Sequence, residues 1–568
     1  MNHRRHIRGR TSCRAVFTLC LGALLQACGG GGGSDSPPVT PPPAPPPVSK
    51  QELAEAARFA GQASFGIPYE ELEALARSGR SNWIDAQFAL PASLHKPLID
   101  DFVQRREAGE FAQFEEDIEY LIYFRRLAWW HQTITGNDLL RQRVAFALSE
   151  ILVVSDNTDA LLVDPYALST YYDTLQTHAF GNFRDLLRDV SLHPSMGVFL
   201  SHINNARSNP AANTFPDENY AREVMQLFSI GLFELNIDGS PVTDADGRPV
   251  PTYDNDDIRE FAKIFTGLSF GGQNSFFGRR FGDFKVPMQM FEDAHEPGEK
   301  RLLRGQVVPA GQSGLEDIEA AIDNLFNHPN VGPFIGKQLI QRLVTSNPSP
   351  AYVERVARAF NGETSGVRGD MRAVIRAILL DPEASADSNP ASNFGKLREP
   401  VVVYTRILRQ FGAESADGFI ANLGFFLQGV TRQHPLSSPS VFNFFLPSHS
   451  PPGAIADANL VAPEFQIATS TTVISTANLF DAILFGDFAT DAPEPFATVT
   501  LNLDPYLAVA DDTEALLDRL DVVLTEGTVS TETRTAVANA IDASNDPSLR
   551  VRMAIYLYLI SPDHAVRL

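Results

Sequence analysis

The stretch Leu139-Leu140-Arg141-Gln142-Arg143-Val144-Ala145-Phe146-Ala147-Leu148-Ser149-Glu150-Ile151-Leu152 decides the fold class. Its residues Leu140, Val144, Leu148, Ile151 and Leu152 recur at steps of three and four, which aligns them along one side of a helix and excludes strand alternation. The same steps join Ile258, Phe261, Ala262 and Phe265. Working outward, helices are expected over 114–133, 166–178, 318–326, 334–344, 352–360, 371–380, 397–411, 514–524 and 549–560. Two-residue alternation is scarce. The chain therefore reads as mainly α, a large multi-helix globular body.

Two segments depart from this period. In 242–250, Asp246-Gly247 between short extended pieces predicts a small β-hairpin. Residues 269–309 are rich in Gly and Phe and offer few helical steps, so they read as an irregular insertion of loop and short strands. Long irregular segments tend to be functional or disordered, and the phenylalanines argue against full disorder. The echo His193-Pro194 and His328-Pro329 has a local explanation, proline in a first helical turn with the ring accepting a backbone N–H. Ser49-Lys50-Gln51-Glu52 has capping-box spacing and opens the body.

The amino end reads as an address. Arg4, Arg5, Arg8, Arg10 and Arg14 precede an apolar run, the anatomy of a secretory signal over 1–27, too short to span a bilayer permanently. Leu25-Gln26-Ala27-Cys28 resembles the lipobox of bacterial lipoproteins, which implies a cleaved, acylated Cys28 bearing palmitate-like chains. The Gly- and Pro-rich segment 28–48 then forms a tether, flexible first and semi-rigid beyond. The body is expected over 49–568, with a candidate subdivision near 385–395. Gly29 after the cysteine suggests, by the same resemblance, the outer membrane of a Gram-negative cell envelope. The expected membrane contact is thus through a lipid anchor, with the body in the periplasm or at the surface.

Composition narrows the partners. The 568 residues are 44% hydrophobic, with formal charge −23; losing a signal that holds five arginines and no acids leaves −28. No basic cluster lies outside the signal, so nucleic acid is excluded as a partner. Cys13 and Cys20 leave with the signal, so the exported body has no disulfide and no cysteine-ligated metal or haem. Zinc-protease, serine-elbow and phosphate-loop signatures are missing. Asp244-Ala245-Asp246-Gly247 lacks the closing Glu of a calcium loop and reads as a turn.

The densest polar constellation is Asp217-Glu218-Asn219-Tyr220-Ala221-Arg222-Glu223-Val224-Met225-Gln226-Leu227-Phe228, between Pro216 and Gly231. Tyr220, Val224, Leu227 and Phe228 make its apolar stripe. Glu223 falls at the stripe's edge, where partial desolvation raises a carboxyl toward acid–base use. Glu218 and Arg222 are spaced for an i,i+4 ion pair. A structural salt bridge from Glu223 to another helix is the competing reading.

Pro216 to Gly231, together with Tyr253-Asp254-Asn255-Asp256-Asp257-Ile258-Arg259-Glu260 and Phe265-Thr266-Gly267, resembles the bacterial family known as domain of unknown function 1800. Leu140 to Phe146, His178 to Asn182, His295-Glu296-Pro297-Gly298-Glu299-Lys300 and Lys396-Leu397-Arg398-Glu399-Pro400 extend the likeness through most of the body. The resemblance implies an exported, mostly helical bacterial protein and transfers no activity. His295-Glu296 and Leu268 depart from the family's usual His-Asp and Phe-Thr-Gly-Trp.

His295, in the irregular insertion with Asp293, Glu296 and Glu299 nearby, is the leading histidine, as base or as ligand to a divalent ion beside a glutamate. Candidate catalytic residues are Glu223, Glu218, Arg222 and His295; candidate substrate contacts are Asn219, Arg259 and Lys300. Residues 434–447 combine Ser, Pro and Phe, suited to turns and core packing or to stacking on sugar rings. Two functions fit: a hydrolase acting on an envelope or extracellular polymer such as a polysaccharide, or a non-catalytic scaffold that binds an envelope protein.

Overall fold

The helical period expected from the sequence is the one the chain adopts. The structure is a computed structural model that describes residues 46–111, 119–278, 282–385, 393–422, 424–486 and 495–567. The signal, Cys28, most of the tether, the beginning of the 114–133 segment and most of 385–395 lie outside the described residues.

Helices dominate, and the body opens at Lys50–Ala63 with the expected capping box, Ser49 and Glu52 each accepting the other's backbone N–H. The helix Leu139–Ser149 is buried on every side, its Arg141, Gln142 and Arg143 included. It packs on Ala167–His178, Val331–Leu343 and Lys50–Ala63. Such all-round burial explains its near-continuous apolar composition. One large core runs from Leu53 to Leu559, fed by most of the helices, so Val48–Leu568 holds together as a single unit. Among the described residues no helix is long and apolar enough to cross a membrane.

Both His-Pro histidines accept the expected backbone N–H, but only Pro194 lies in a first helical turn, since the helix after Pro329 begins at Val331. His193 Nδ1 accepts from Ser195 N and His328 Nδ1 from Asn330 N, each at 3.2 Å. The hairpin expected at 242–250 is present as a bridge between Thr243 and Pro249, with Gly247 at φ +79° and Asp244 accepting from Asp246 N and Arg248 N at 2.9 Å. The insertion is loop with two short antiparallel pairs, Leu268–Ser269 with Gln289–Met290 and Lys300–Arg301 with Val307–Val308.

Two helices are shorter than their patterns suggest. The motif helix spans Asn219–Gln226, because Asp217 Oδ1 takes the Asn219 N–H at 2.8 Å and holds the chain in a turn until then. The helix expected over 397–411 begins at Pro400, since Lys396–Leu397 is a strand paired with Val566–Arg567.

Candidate functional site

The motif residues separate into three places. Glu218 and Arg222 form their i,i+4 pair at 3.5 Å on the surface, each side chain 41% exposed. Asn219 is exposed at the helix start, and Arg259 is spent on Asp256 at the surface. Glu223 is buried, and its Oε2 has no hydrogen-bond partner. Burial raises its carboxyl above the usual range against the pull of Arg222. The salt bridge to another helix is not formed among the described residues.

His295 belongs to a different cluster, and its acid is not one of the neighbours Asp293, Glu296 or Glu299. Its Nδ1 faces the Thr266 carbonyl at 2.9 Å and its Nε2 faces Asp317 Oδ2 at 3.0 Å. Lys300 donates to the same Asp317 oxygen. All three side chains are at most 2% exposed, so His295 is not a surface-loop residue and Lys300 is not a substrate contact on an open face. Burial works to raise the Asp317 carboxyl, but hydrogen bonds from His295 and Lys300 outweigh it and hold the group below its usual range. Gly267, at φ +83°, lets the chain pass: a Cβ there would meet the Phe291 carbonyl at 2.9 Å. No hydrogen bond or ion pair joins this cluster to Glu218, Arg222 or Glu223 among the described residues, so the four candidate catalytic residues do not form one constellation. Nor do three or more His, Cys, Asp or Glu gather there as a metal site.

A serine, a histidine and an aspartate do meet elsewhere, but in the wrong order. Ser437 donates to Asp156 Oδ2 at 2.8 Å and lies 3.2 Å from His434 Nδ1, so the hydroxyl sits between base and acid. A nucleophilic triad needs the histidine in that middle position.

The arrangement with chemical capacity lies at Glu150. A cleft of about 420 Å³ is lined by Glu150 and Arg342, by Gln226 and Leu227 of the motif helix, by Phe334, Gln338 and Gln341 of the helix Val331–Leu343, and by Phe442 and Leu446 of the 434–447 segment. Glu150 and Arg342 are 4% and 3% exposed, whereas Leu232, Phe442 and Leu446 are 40–48% exposed, so these two polar side chains form the floor and the apolar ones the rim. The 434–447 segment thus divides its aromatics, with Phe444 and Phe445 packed inward and Phe442 left on the cleft.

Glu150 caps the C-terminal end of Leu139–Ser149, where the helix dipole opposes a negative charge. Burial first, and then the neighbouring charge of Glu399, push its carboxyl up against the attraction of Arg342. Glu399 shares a hydrogen bond with it and moves the other way: burial is overcome by Lys396, Arg143 and Arg342, which keep it ionised. Burial and Glu399 thus favour the protonated form of Glu150, while the surrounding cations favour the ionised form of Glu399. Asn443 Nδ2 donates to Glu150 Oε1 at 3.2 Å, and Gln433 Nε2 donates to Glu399 Oε2 at 3.0 Å, fixing both groups. Arg342 Nε stands 3.8 Å from Glu150 Oε2, with its guanidinium over the Phe445 ring. Gln338, on the cleft wall, has a buried Nε2 that lacks a partner among the described residues.

The sequence signal for this cluster is two charged residues, Arg143 and Glu150, seven apart and so on one face of a helix otherwise apolar enough to be buried.

Comparison with known proteins agrees with the motif pattern. The profile of the family described as "Protein of unknown function (DUF1800)" matches residues 58–566. The chain belongs to this family. No curated protein and no solved structure matches it significantly. Of the DUF1800 motif residues, Gln226 and Leu227 line this cleft, and Glu399 lies beside Glu150 on its floor.

Proposed function

We propose that this DUF1800 protein is an exported, lipid-anchored hydrolase that acts on a neutral envelope or extracellular polymer, with Glu150 as the proton donor in the cleft. The observation that carries the reading is a buried, raised carboxyl at the floor of a cleft rimmed by apolar side chains and amides, the usual setting of a general acid. Glu399 keeps the proton on Glu150, and Arg342 offers a positive group to charge that develops beside it. Phe334 and Phe442 give faces for sugar or other apolar rings, while Gln226 and Gln338 offer hydrogen bonds to hydroxyls or amides. Uncharged groups suit these walls, and the acidic mean charge of the chain disfavours polyanions. The leader, Cys28 and the tether support delivery to the envelope.

A second reading has its own support: the exposed rim of Leu232, Phe442 and Leu446 would equally seat an envelope protein on a non-catalytic scaffold. Purified protein and Glu150→Gln, screened against polysaccharides, peptidoglycan and esters, separate the two. For the hydrolase, Glu150→Gln lowers the rate by about 10²-fold or more, the range of general-acid catalysis, while binding persists. Cleft binding without turnover by either form would replace the hydrolase with the scaffold.

A further inference from the structure

Beneath the cleft floor the cationic side chains outnumber the acids. Arg143, Arg342, Lys396, Arg398, Arg406 and Arg567 are each at most 8% exposed, and the buried carboxyls among them are Glu150, Glu399, Glu464 and Glu526. One of those four, Glu150, is pushed by burial toward its neutral form. The remaining three are already engaged: Glu399 with Lys396 at 3.2 Å, Glu464 with Lys396, and Glu526 with Arg398 at 2.9 Å and Arg406 at 2.6 Å. Among the described residues neither Arg143 nor Arg567 has an acid within ion-pair distance. Burial lowers both guanidiniums, Arg567 to about 9, against the attraction of Glu399 and Glu150 on Arg143 and of Glu526 on Arg567, with Arg398 and Arg143 adding repulsion to Arg567. His564 contributes no balancing charge, since burial and Arg398 keep its imidazole neutral.

Backbone carbonyls solvate part of this charge. Arg567 donates to the carbonyls of Gly61 at 2.8 Å and Leu343 at 2.6 Å, and Arg143 Nη2 to that of Arg342 at 2.6 Å. Several donors are nevertheless left over: Arg143 Nε and Nη1, Arg398 Nε and Arg406 Nε are buried without a partner. These arginines, with Lys396, Arg567, Glu399 and Gly61, line one enclosed cavity. Its free space is about 10 Å³, room for the centre of a single water-sized particle. Gly61 keeps the cavity's wall thin, because a Cβ there would collide with the Glu526 carboxylate and stand 3.0 Å from Arg406 Nη1.

We propose that this cavity is a buried halide site that takes one chloride ion, with Arg143 as its principal donor. Unpaired buried guanidinium groups call for an anion, since the cost of a buried charge is met by pairing and hydrogen bonds. The volume selects a monatomic ion and rejects sulfate, phosphate and carboxylates. The Glu399 carboxylate on the cavity wall does not repel it outright, because Lys396 and Gln433 already engage that group. A water molecule would fill the space but leave the excess positive charge uncompensated. This site shares Glu399 with the proposed hydrolase pair, but it lies in the core and contacts no substrate, so its test needs no measure of turnover.

Long-wavelength anomalous diffraction from crystals of the full chain grown in sodium chloride tests it, because chlorine scatters anomalously there and oxygen does not. The expected result is an anomalous peak in the cavity beside Arg143 Nε and Nη1, and a melting temperature a few degrees higher in chloride than in gluconate at equal ionic strength. Arg143→Gln is expected to abolish both the peak and the chloride-dependent rise in melting temperature. Ordinary density with no anomalous signal in the wild-type cavity identifies a water and overturns the proposal, whatever the melting shows. A peak of unchanged height in Arg143→Gln overturns the assignment of Arg143. If that variant does not fold, the wild-type peak decides alone.

Discussion

Two of the buried ionic clusters among the described residues are built on opposite principles. Around His295, one carboxylate answers one ammonium, and an imidazole is pinned between Asp317 and the Thr266 carbonyl. The charges balance, and among the described residues Asp317 Oδ1 is the one oxygen of that carboxylate left without a partner. Around Glu150 and Glu399, cations exceed acids, one carboxyl is pushed toward its neutral form, and the assembly opens on a cleft at one side and lines a small cavity at the other. A balanced cluster ties segments together; an unbalanced one has spare capacity for a ligand or a proton.

The sharpest break in the comparison is Asp317→Asn. It leaves the Lys300 ammonium, 1% exposed, without its acid, and removing one partner of a buried pair costs about 3–5 kcal/mol. Chemical denaturation measures the loss. The same carboxylate sets a pH dependence: its folded pKa lies below the unfolded value, so its stabilisation is present above about pH 4 and is lost as pH falls through the depressed value.

Glu399→Gln against Glu150→Gln sharpens the contrast inside the second cluster. The first removes a charge that the surrounding cations require and is expected to cost about 3 kcal/mol. The second replaces a neutral acid by a neutral amide and is expected to change stability by less than about 1 kcal/mol at pH 5. Here the sign is reversed. With a folded pKa above the unfolded one, Glu150 loses its favourable contribution as pH rises above the usual glutamate value. Glu150→Gln should therefore gain on the wild type between pH 5 and 8 in denaturation series. Equal pH profiles would place the proton elsewhere.

The smallest effect is expected at Arg222→Ala. Its ion pair with Glu218 is solvent-exposed, and such pairs contribute about 0–1 kcal/mol. An unfolding midpoint within error of the wild type fits that assignment, whereas a cost comparable to Asp317→Asn would mark the motif helix as part of a buried network.

The sequence showed what local physics controls. The i,i+3/i+4 period revealed the helices, and the Ser49–Glu52 cap and both His-Pro turns followed from contacts within three residues. Burial of Glu223 was also legible from the helical wheel, because an edge position needs only the helix itself. Partners were another matter. Asp317 lies in the first turn of the helix Gly314–Phe326, beyond an irregular segment with no period to follow, so the acids adjacent to His295 seemed the natural neighbours. Glu150 and Glu399 come from helix ends that meet only when the body is packed. The strand at Lys396–Leu397 was hidden because its partner, Val566–Arg567, lies near the other end of the chain.

That last pairing has a kinetic consequence. The Arg567 side chain reaches the Gly61 carbonyl across 506 residues of sequence, and closing loops of that length is slow because the entropy of bringing their ends together precedes any reward. A polypeptide emerging amino end first must leave its earliest helix unsealed until residue 567 appears. In that interval the arginine-lined interior stands open to solvent ions, and any counterion it keeps enters before the door shuts.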